Sequence, residues 1–274
     1  MNVETPVTRP TSRDDARSGA HLVVDGVAVR FGGLTALDSV SFEVPPGQVV
    51  GVIGPNGAGK TTLFNVVCGF TRPQAGRLLL DGSPLRPVPH QLTRRGISRS
   101  LQGLGLFPGL SVLENIVAGA THSTRAGFAS HLFALPRGDR DERELRERAE
   151  ALIDDLGLGA HAGAHPSTLP YAVSKRVALA RTLISEPRLV LLDEPAGGLG
   201  HDDILELGRL ITSLPSRGSG CSVMLVEHHV DLVMEVCDRI VVLDFGKVIA
   251  HGTPAEVRND PAVAEAYLGA EVAS

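Results

Sequence analysis

The sequence predicts an α/β fold with a parallel-sheet core, an antiparallel β subdomain and an inserted α-helical subdomain. Three observations predict it. An apolar run, Val49 to Ile53, enters the glycine-rich loop Gly54-Pro55-Asn56-Gly57-Ala58-Gly59-Lys60-Thr61-Thr62, and Leu63 to Cys68 beyond it reads as a helix. A second apolar run, Leu189 to Leu192, ends in Asp193-Glu194, as expected of a parallel strand buried on both faces. Between the two, residues 103 to about 186 lose β-branched alternation and carry mostly helical signals.

The loop reads G-x-x-x-x-G-K-T from Gly54 to Thr61, in the strand–loop–helix setting that a P-loop requires. Its glycines let backbone N–H groups turn inward around a polyphosphate, and the helix below adds partial positive charge. Lys60 is placed to reach the β- and γ-phosphates, and the Thr61 hydroxyl to hold Mg²⁺. The core is therefore read as that of a P-loop NTPase, with Asp193 as a Mg²⁺-holding carboxylate on a strand beside the P-loop strand. Glu194 next to it is a candidate for polarising an attacking water.

In chain order, Met1 to Ala20 is polar, lacks the apolar segment of a signal peptide and reads as a flexible tail. Leu22–Val24, Val27–Phe31 and Val40–Val44 alternate as half-buried antiparallel strands, and Arg77–Leu80 ends at the Asp81-Gly82 turn. In the insertion, Ser111 with Glu114 forms a capping box. Arg140 to Leu156 reads as a charged helix with Leu145, Ala149, Leu152, Ile153 and Leu156 on one face. Thr121 to Gly138 is irregular and suggests no function. After the second apolar run come a helix (Ile204–Leu214), a buried strand (Ser222–Val226), a further helix, a hairpin (Arg239–Leu243 with Val248–His251) and two short helices opened by Pro254 and Pro261. The expected boundaries are a tail at 1–20 and one domain at 21–274. Its core is 21–102 with 187–274, and its helical part is 103–186.

Composition narrows the partners. A net charge of −5 with no basic stripe or aromatic platform gives no support for nucleic acid. Hydrophobic residues at 43% of 274 allow a substantial core, yet no apolar run reaches the roughly 18–20 residues that span a bilayer. Three scattered cysteines, Cys68, Cys221 and Cys237, have no metal-ligand spacing and suit a reducing cytoplasm. The basic residues number 26 and only three are lysines, so a lysine in the loop points to a need for a compact ammonium.

Taken together, these motifs in this order resemble the nucleotide-binding subunit of ATP-binding cassette (ABC) transporters, over residues 21 to 268. The resemblance implies ATP and Mg²⁺ as ligands and ATP hydrolysis coupled to transmembrane transport. It also implies roles for individual residues. Phe31 would stack on adenine, although alone it reads more readily as a core aromatic. Gln102 would contact Mg²⁺ and the attacking water at the joint between core and helical part. His228, in Leu225-Val226-Glu227-His228, would be the switch histidine at the γ-phosphate. Within the family, Arg99 to Asn115 and Leu169-Pro170-Tyr171 with Lys175-Arg176-Val177 look like the branched-chain amino acid import group. The ending from Lys247 to Val257 is common to many such subunits and is expected to discriminate little.

Departures from the family pattern concern what the chain would offer a second ATPase subunit. The signature usually reads L-S-G-G-Q, but here it reads Leu169-Pro170-Tyr171-Ala172-Val173, and Gly200 stands where Asp, Asn or Ser is usual. Pro170 lacks both hydroxyl and N–H, Ala172 adds a methyl where close approach or a special backbone angle is wanted, and Val173 is apolar. The expectation is an asymmetric heterodimer beneath integral-membrane permease subunits, served by an external solute-binding protein. The chain itself would be cytoplasmic, peripheral on the inner face of the membrane. Leu104, Leu106, Phe107 and Leu110 would form apolar surface for a short permease helix. The alternatives are a weakly hydrolytic ATP-binding regulatory half and a non-transport ABC ATPase.

Overall fold

Alternating apolar residues send the chain first into an antiparallel sheet. The computed structural model describes residues 19–100, 103–120, 136–217 and 220–272. Strands β1 (Leu22–Phe31) and β2 (Leu34–Val44) pair antiparallel, and the break expected at Asp25-Gly26 is a register shift inside one continuous strand. Gly26 has φ 60 there, which is why a glycine interrupts the alternation without ending it. Strand β3 (Val49–Ile53), helix α1 (Lys60–Cys68) and strands β4 (Ala75–Leu80) and β5 (Ser83–Leu85) follow, giving a first sheet in the order β2-β1-β4-β5.

Ala20, expected in the flexible tail at 1–20, is instead part of the folded domain. Ala20 is 1% exposed; its N–H donates to Arg188 O at 2.8 Å and its carbonyl accepts from Ser222 Oγ at 2.7 Å. Its backbone thus ties the start of the domain to residues about 170 and 200 positions away. Residues 1–18 lie outside the described part, as do Leu101 and Gln102 and most of the stretch from Thr121 to Gly138.

Strand β6 (Ile97–Arg99) leads into the helical part: α2 (Val112–Ala118), α3 (Pro136–Asp155) and α4 (Tyr171–Leu183). The charged helix expected from Arg140 begins four residues earlier, at Pro136, where a proline suits the first helical position. Leu145, Ala149, Ile153 and Leu156 are buried with Val112, Ile116, Val173 and Val177 in a core of their own. Ser111 caps α2 as expected: its Oγ accepts from Glu114 N–H at 3.3 Å, and Glu114 accepts from Ser111 N–H at 2.7 Å.

The α/β pattern then resumes with β7 (Leu189–Asp193), α5 (His201–Ser213), β8 (Ser222–Val226), α6 (Val230–Val236), β9 (Arg239–Asp244), β10 (Lys247–Gly252), α7 (Pro254–Arg258) and α8 (Pro261–Val272). The second sheet runs β10-β9-β3-β8-β7-β6, with β9, β3, β8, β7 and β6 parallel and β10 antiparallel at the edge. Asp193 is therefore not on the strand beside the P-loop strand, because β8 lies between them. Sequence shows three buried apolar runs but not which crossovers place which of them side by side.

Period-two alternation explains why these strands are apolar throughout. Val50, Val52, Leu189, Leu191, Met224 and Val226 face the antiparallel sheet and α1. Val49, Ile53, Val190, Leu192, Val223 and Leu225 face α5 and α6.

Asn115 was not anticipated as structural. It is fully buried on α2, its Oδ1 accepts from Phe107 N–H at 2.7 Å, and its Nδ2 donates to the carbonyls of Phe107, Leu110 and Ser111. One side chain thus folds the 107–111 loop. Asn115→Ala strands these groups, and the expected loss is about 1–3 kcal/mol of unfolding free energy, measured by urea denaturation.

Candidate nucleotide site

The strand ends set the site. Val52 pairs with Val226, and Asp193 pairs with Val226 from the other side, so β3, β8 and β7 end level. Their next residues, the P-loop from Gly54, Glu227-His228 and Glu194, consequently gather at one carboxyl edge, where open α/β sheets bind ligands.

Two glycines of the loop are obligatory on steric grounds. Gly54 has φ 152, and a Cβ there would sit 2.0 Å from Leu243 O. Gly59 has φ 103, and a Cβ would sit 2.6 Å from Ala36 O. The loop is thereby pressed onto β9 and β2. Lys60, 8% exposed, folds back so that its ammonium donates to Gly54 O at 2.7 Å and Pro55 O at 2.9 Å. Burial pulls its pKa down, and the Glu194 carboxylate pushes it back up.

A cleft of about 330 Å³ opens over the loop, lined by Asn56, Gly57, Ala58, Gly59, Lys60, Thr61 and Thr62, by Glu194, and by Phe31, Leu34, Thr35, Ala36 and Phe245. Phe31 is exposed at 54%, so it is not a core aromatic. The structure therefore brings together the P-loop, Phe31 and Glu194. Asp193 and His228 stand on the same sheet edge but outside that lining, and Gln102 lies outside the described residues.

Glu194 has φ 46, a left-handed conformation that costs a non-glycine residue about 1–3 kcal/mol. Two contacts hold it. Its N–H donates to Val226 O at 2.8 Å, and its carbonyl accepts from Gly197 N–H at 3.2 Å. Asp193 is anchored through its backbone N–H to Ser100 Oγ at 3.1 Å. Its carboxyl pKa is raised, first by burial and then by the Glu194 charge, with Arg99 pulling it down.

Sequence reasoning missed Glu227. This carboxylate is fully buried; one oxygen accepts from Ala196 N–H at 2.8 Å, the other from His228 N–H at 2.8 Å and His229 N–H at 3.1 Å. It ties the loop after Glu194 to the loop carrying His228. Glu227, His228 and His229 also bring ligand atoms within 4.8 Å of one another, but the three amides already account for the carboxylate. An acid directly after the all-apolar run Val223–Val226 was the signal in the sequence.

The signature segment opens α4, with Pro170 at its N-cap and no side-chain cap. Tyr171 is half exposed, and its hydroxyl donates to Gly197 O at 3.3 Å. Ala172 has an ordinary helical backbone and sits half-buried in the crevice with Leu199, Asp203 and Leu207, so no special angle is needed there. Val173, expected to leave the face offered to a partner without a polar group, is instead buried in the helical core and is not part of that face. Gly200 is exposed with extended φ −76, and a Cβ would meet only Asp203 Oδ2 at 3.7 Å.

The profile described as "ABC transporter" matches residues 37–197. The chain belongs to the ABC transporter family. A high-affinity branched-chain amino acid transport ATP-binding protein, BraF, of Pseudomonas aeruginosa is 39% identical over 249 residues, covering 90% of this chain and 97% of its own. LivG of Escherichia coli, with the same description, matches with the same identity and coverage. The lipopolysaccharide export ATP-binding protein LptB of Escherichia coli is 34% identical, covering 91% of this chain and 98% of its own. Among solved structures, an ATP-binding cassette of an ABC transporter in its ADP conformation superposes with TM-score 0.78 at 28% identity, covering 91% of this chain and 99% of that one. The fold and the ATP-binding-subunit type follow from this family membership. Residues 247–273 match a second profile, "Branched-chain amino acid ATP-binding cassette transporter".

Two predictions follow from this geometry. Glu227→Gln has a single acceptor oxygen for three amides, and should lose about 1–3 kcal/mol of stability while ATPase kcat falls on the order of 10- to 100-fold at little-changed ATP affinity. Denaturation, steady-state kinetics and ATP titration would check this. For Asp193, a folded pKa above the unfolded one means its contribution is favourable below the unfolded value and is lost as pH rises through the folded value. Asp193→Asn should therefore raise the thermal midpoint of the nucleotide-free protein at about pH 7–8, with the gain fading toward about pH 4.

Proposed function

We propose that the chain is the ATP-hydrolysing subunit of a branched-chain amino acid importer, driving integral-membrane permease subunits supplied by an external solute-binding protein. The observation that carries the proposal is the cleft in which Lys60, Thr61 and Glu194 meet below Phe31. The higher identity to the branched-chain amino acid proteins, 39% against 34% for the lipopolysaccharide export protein, together with the profile matched by residues 247–273, supports that solute class. No helix among the described residues is long and apolar enough to cross a membrane, so membrane attachment would run through the permease. Part of the surface for it is the cavity lined by Leu92, Leu104, Phe107 and Arg181 between the two subdomains.

In this reading Lys60 leaves the carbonyls of Gly54 and Pro55 and donates to the β- and γ-phosphates of ATP. Phe31 stacks on the base. Thr61 and Asp193 present oxygen donors, the hard set that Mg²⁺ takes, and Gln102 would complete it; bound there, the ion would neutralise phosphate charge. Glu194 orients a water for in-line attack on the γ-phosphorus and takes its proton as the bond to the β-phosphate oxygen breaks, giving ADP and phosphate. His228 contacts the γ-phosphate. Glu194 lining the same cleft as Lys60 supports hydrolysis over a merely regulatory half.

The partner is a second, different ATPase subunit. In-line hydrolysis at this chain's own P-loop uses the partner's signature. The partner's P-loop meets Pro170 in place of a serine and Gly200 in place of a polar residue, so that second site is the weaker one. The experiment that tests the pairing mutates the P-loop lysine of each subunit separately. Lys60→Ala should remove most of the ATPase activity of the heterodimer and the partner's lysine variant much less; equal losses would refute the asymmetry. Uptake of labelled leucine, isoleucine and valine should be lost in cells carrying Lys60→Ala, and unchanged uptake would overturn the solute assignment.

A further inference from the structure

We propose that Phe245 is the second wall of the nucleobase site, holding the purine of ATP against Phe31. This rests on the cleft being an ATP site. Three observations at the turn between β9 and β10 carry it.

The first is exposure. Phe245 is 84% exposed, above Leu34 at 67% and Phe31 at 54%, and all three line the nucleotide cleft. Apart from Thr35 on β2, the polar lining, Asn56, Lys60, Thr61, Thr62 and Glu194, comes from the P-loop and from the loop after β7. The two phenylalanines come from two hairpin turns, Phe31 before Gly32-Gly33 and Phe245 before Gly246. Two exposed apolar rings lining one cleft offer faces on which a base can stack.

The second is conformation. Asp244 pairs with Lys247, so the turn has two residues, and both have positive φ, 41 at Phe245 and 78 at Gly246. Such turns strongly favour Asn, Asp or Gly at the first position. A bulky aromatic there is a genuine outlier. The hairpin alone would be better served by almost any small polar residue, so what selects a phenylalanine lies outside the hairpin.

The third is rigidity. Gly246 N–H donates to Ala58 O in the P-loop at 3.0 Å, and Gly246 O accepts from Asp38 N–H at 2.8 Å. The Lys247 ammonium stands 3.4 Å from Asp38. A Cβ on Gly246 would lie 2.7 Å from Ala36 O, so the turn is pressed onto β2. The ring of Phe245 is thus carried on a turn bolted to the P-loop itself.

The test compares ATP with tripolyphosphate, which has the phosphates and no base, on the full chain without magnesium. Phe245→Ala and Phe245→Asn should weaken ATP binding on the order of 5- to 100-fold, leave tripolyphosphate binding unchanged, and be rescued by Phe245→Tyr. Phe245→Asn should also raise the thermal midpoint of the nucleotide-free protein, since Asn suits the turn. ATP affinity unchanged in both variants would overturn the proposal and leave Phe245 as a contact for a partner subunit. Equal weakening of tripolyphosphate would overturn it too, by showing a distorted P-loop. Lys60→Ala must lose both ligands; if it keeps both, the phosphate reading fails irrespective of Phe245.

Discussion

The register of the parallel strands is the constraint on which everything else depends. Val52, Val226 and Asp193 lie level across β3, β8 and β7. A slip of one residue in any of these strands would exchange its two apolar faces and carry its terminal residue to the wrong side of the sheet. The doubly buried pattern makes such a slip expensive, because each strand sends alternate side chains into two separate cores. The site is positioned, in effect, by the burial of valines and leucines that never touch it.

Around that edge the chain accepts local cost. Glu194 at φ 46 and Phe245 at φ 41 are two of five non-glycine residues with positive φ in the described chain, and both line the cleft. Asp193 is held in surroundings that disfavour its charge, and so is Lys60. Glu227 opposes these terms. Each hydrogen bond to a charged group contributes about 1.5–3 kcal/mol, and its carboxylate accepts three from the loops around Glu194 and His228. The strained residues persist because that buried anion and the β9–P-loop contacts over-determine them.

What the sequence made legible follows from this physics. The P-loop could be read because its glycines, lysine and threonine are each required by one backbone or ligand constraint. The strands could be read because burial on both faces leaves only apolar residues. Sheet order could not, since β3, β7 and β8 look alike and chain proximity does not say that β8 inserts between the other two. Val173 was misjudged when read as a motif letter. Its helical phase, shared with Val177 and Ala180, already places it on the inward stripe of α4. Phe245 escapes a sequence reading because a residue before glycine in a hairpin reads as turn chemistry, and only the bond from Gly246 to Ala58 O brings the turn to the cleft.

The inward turn of Val173 also bears on how unequal the two composite sites of the proposed heterodimer should be. With Val173 in the core and Ala172 in an ordinary helical crevice, the loss on the face offered to a partner reduces to Pro170 and Gly200. A serine hydroxyl on a charged phosphate is worth about 1.5–3 kcal/mol. The N-terminus of α4 is still present, leaves its first amides unpaired in the helix, and contributes about 0.3–1 kcal/mol toward an anion. Tyr171 keeps that terminus registered on the Gly197 loop. The partner's site should therefore be slowed by roughly one to two orders of magnitude, at about 1.4 kcal/mol per tenfold, and not silenced. A heterodimer built this way hydrolyses mainly at Lys60 and Glu194 and binds at both.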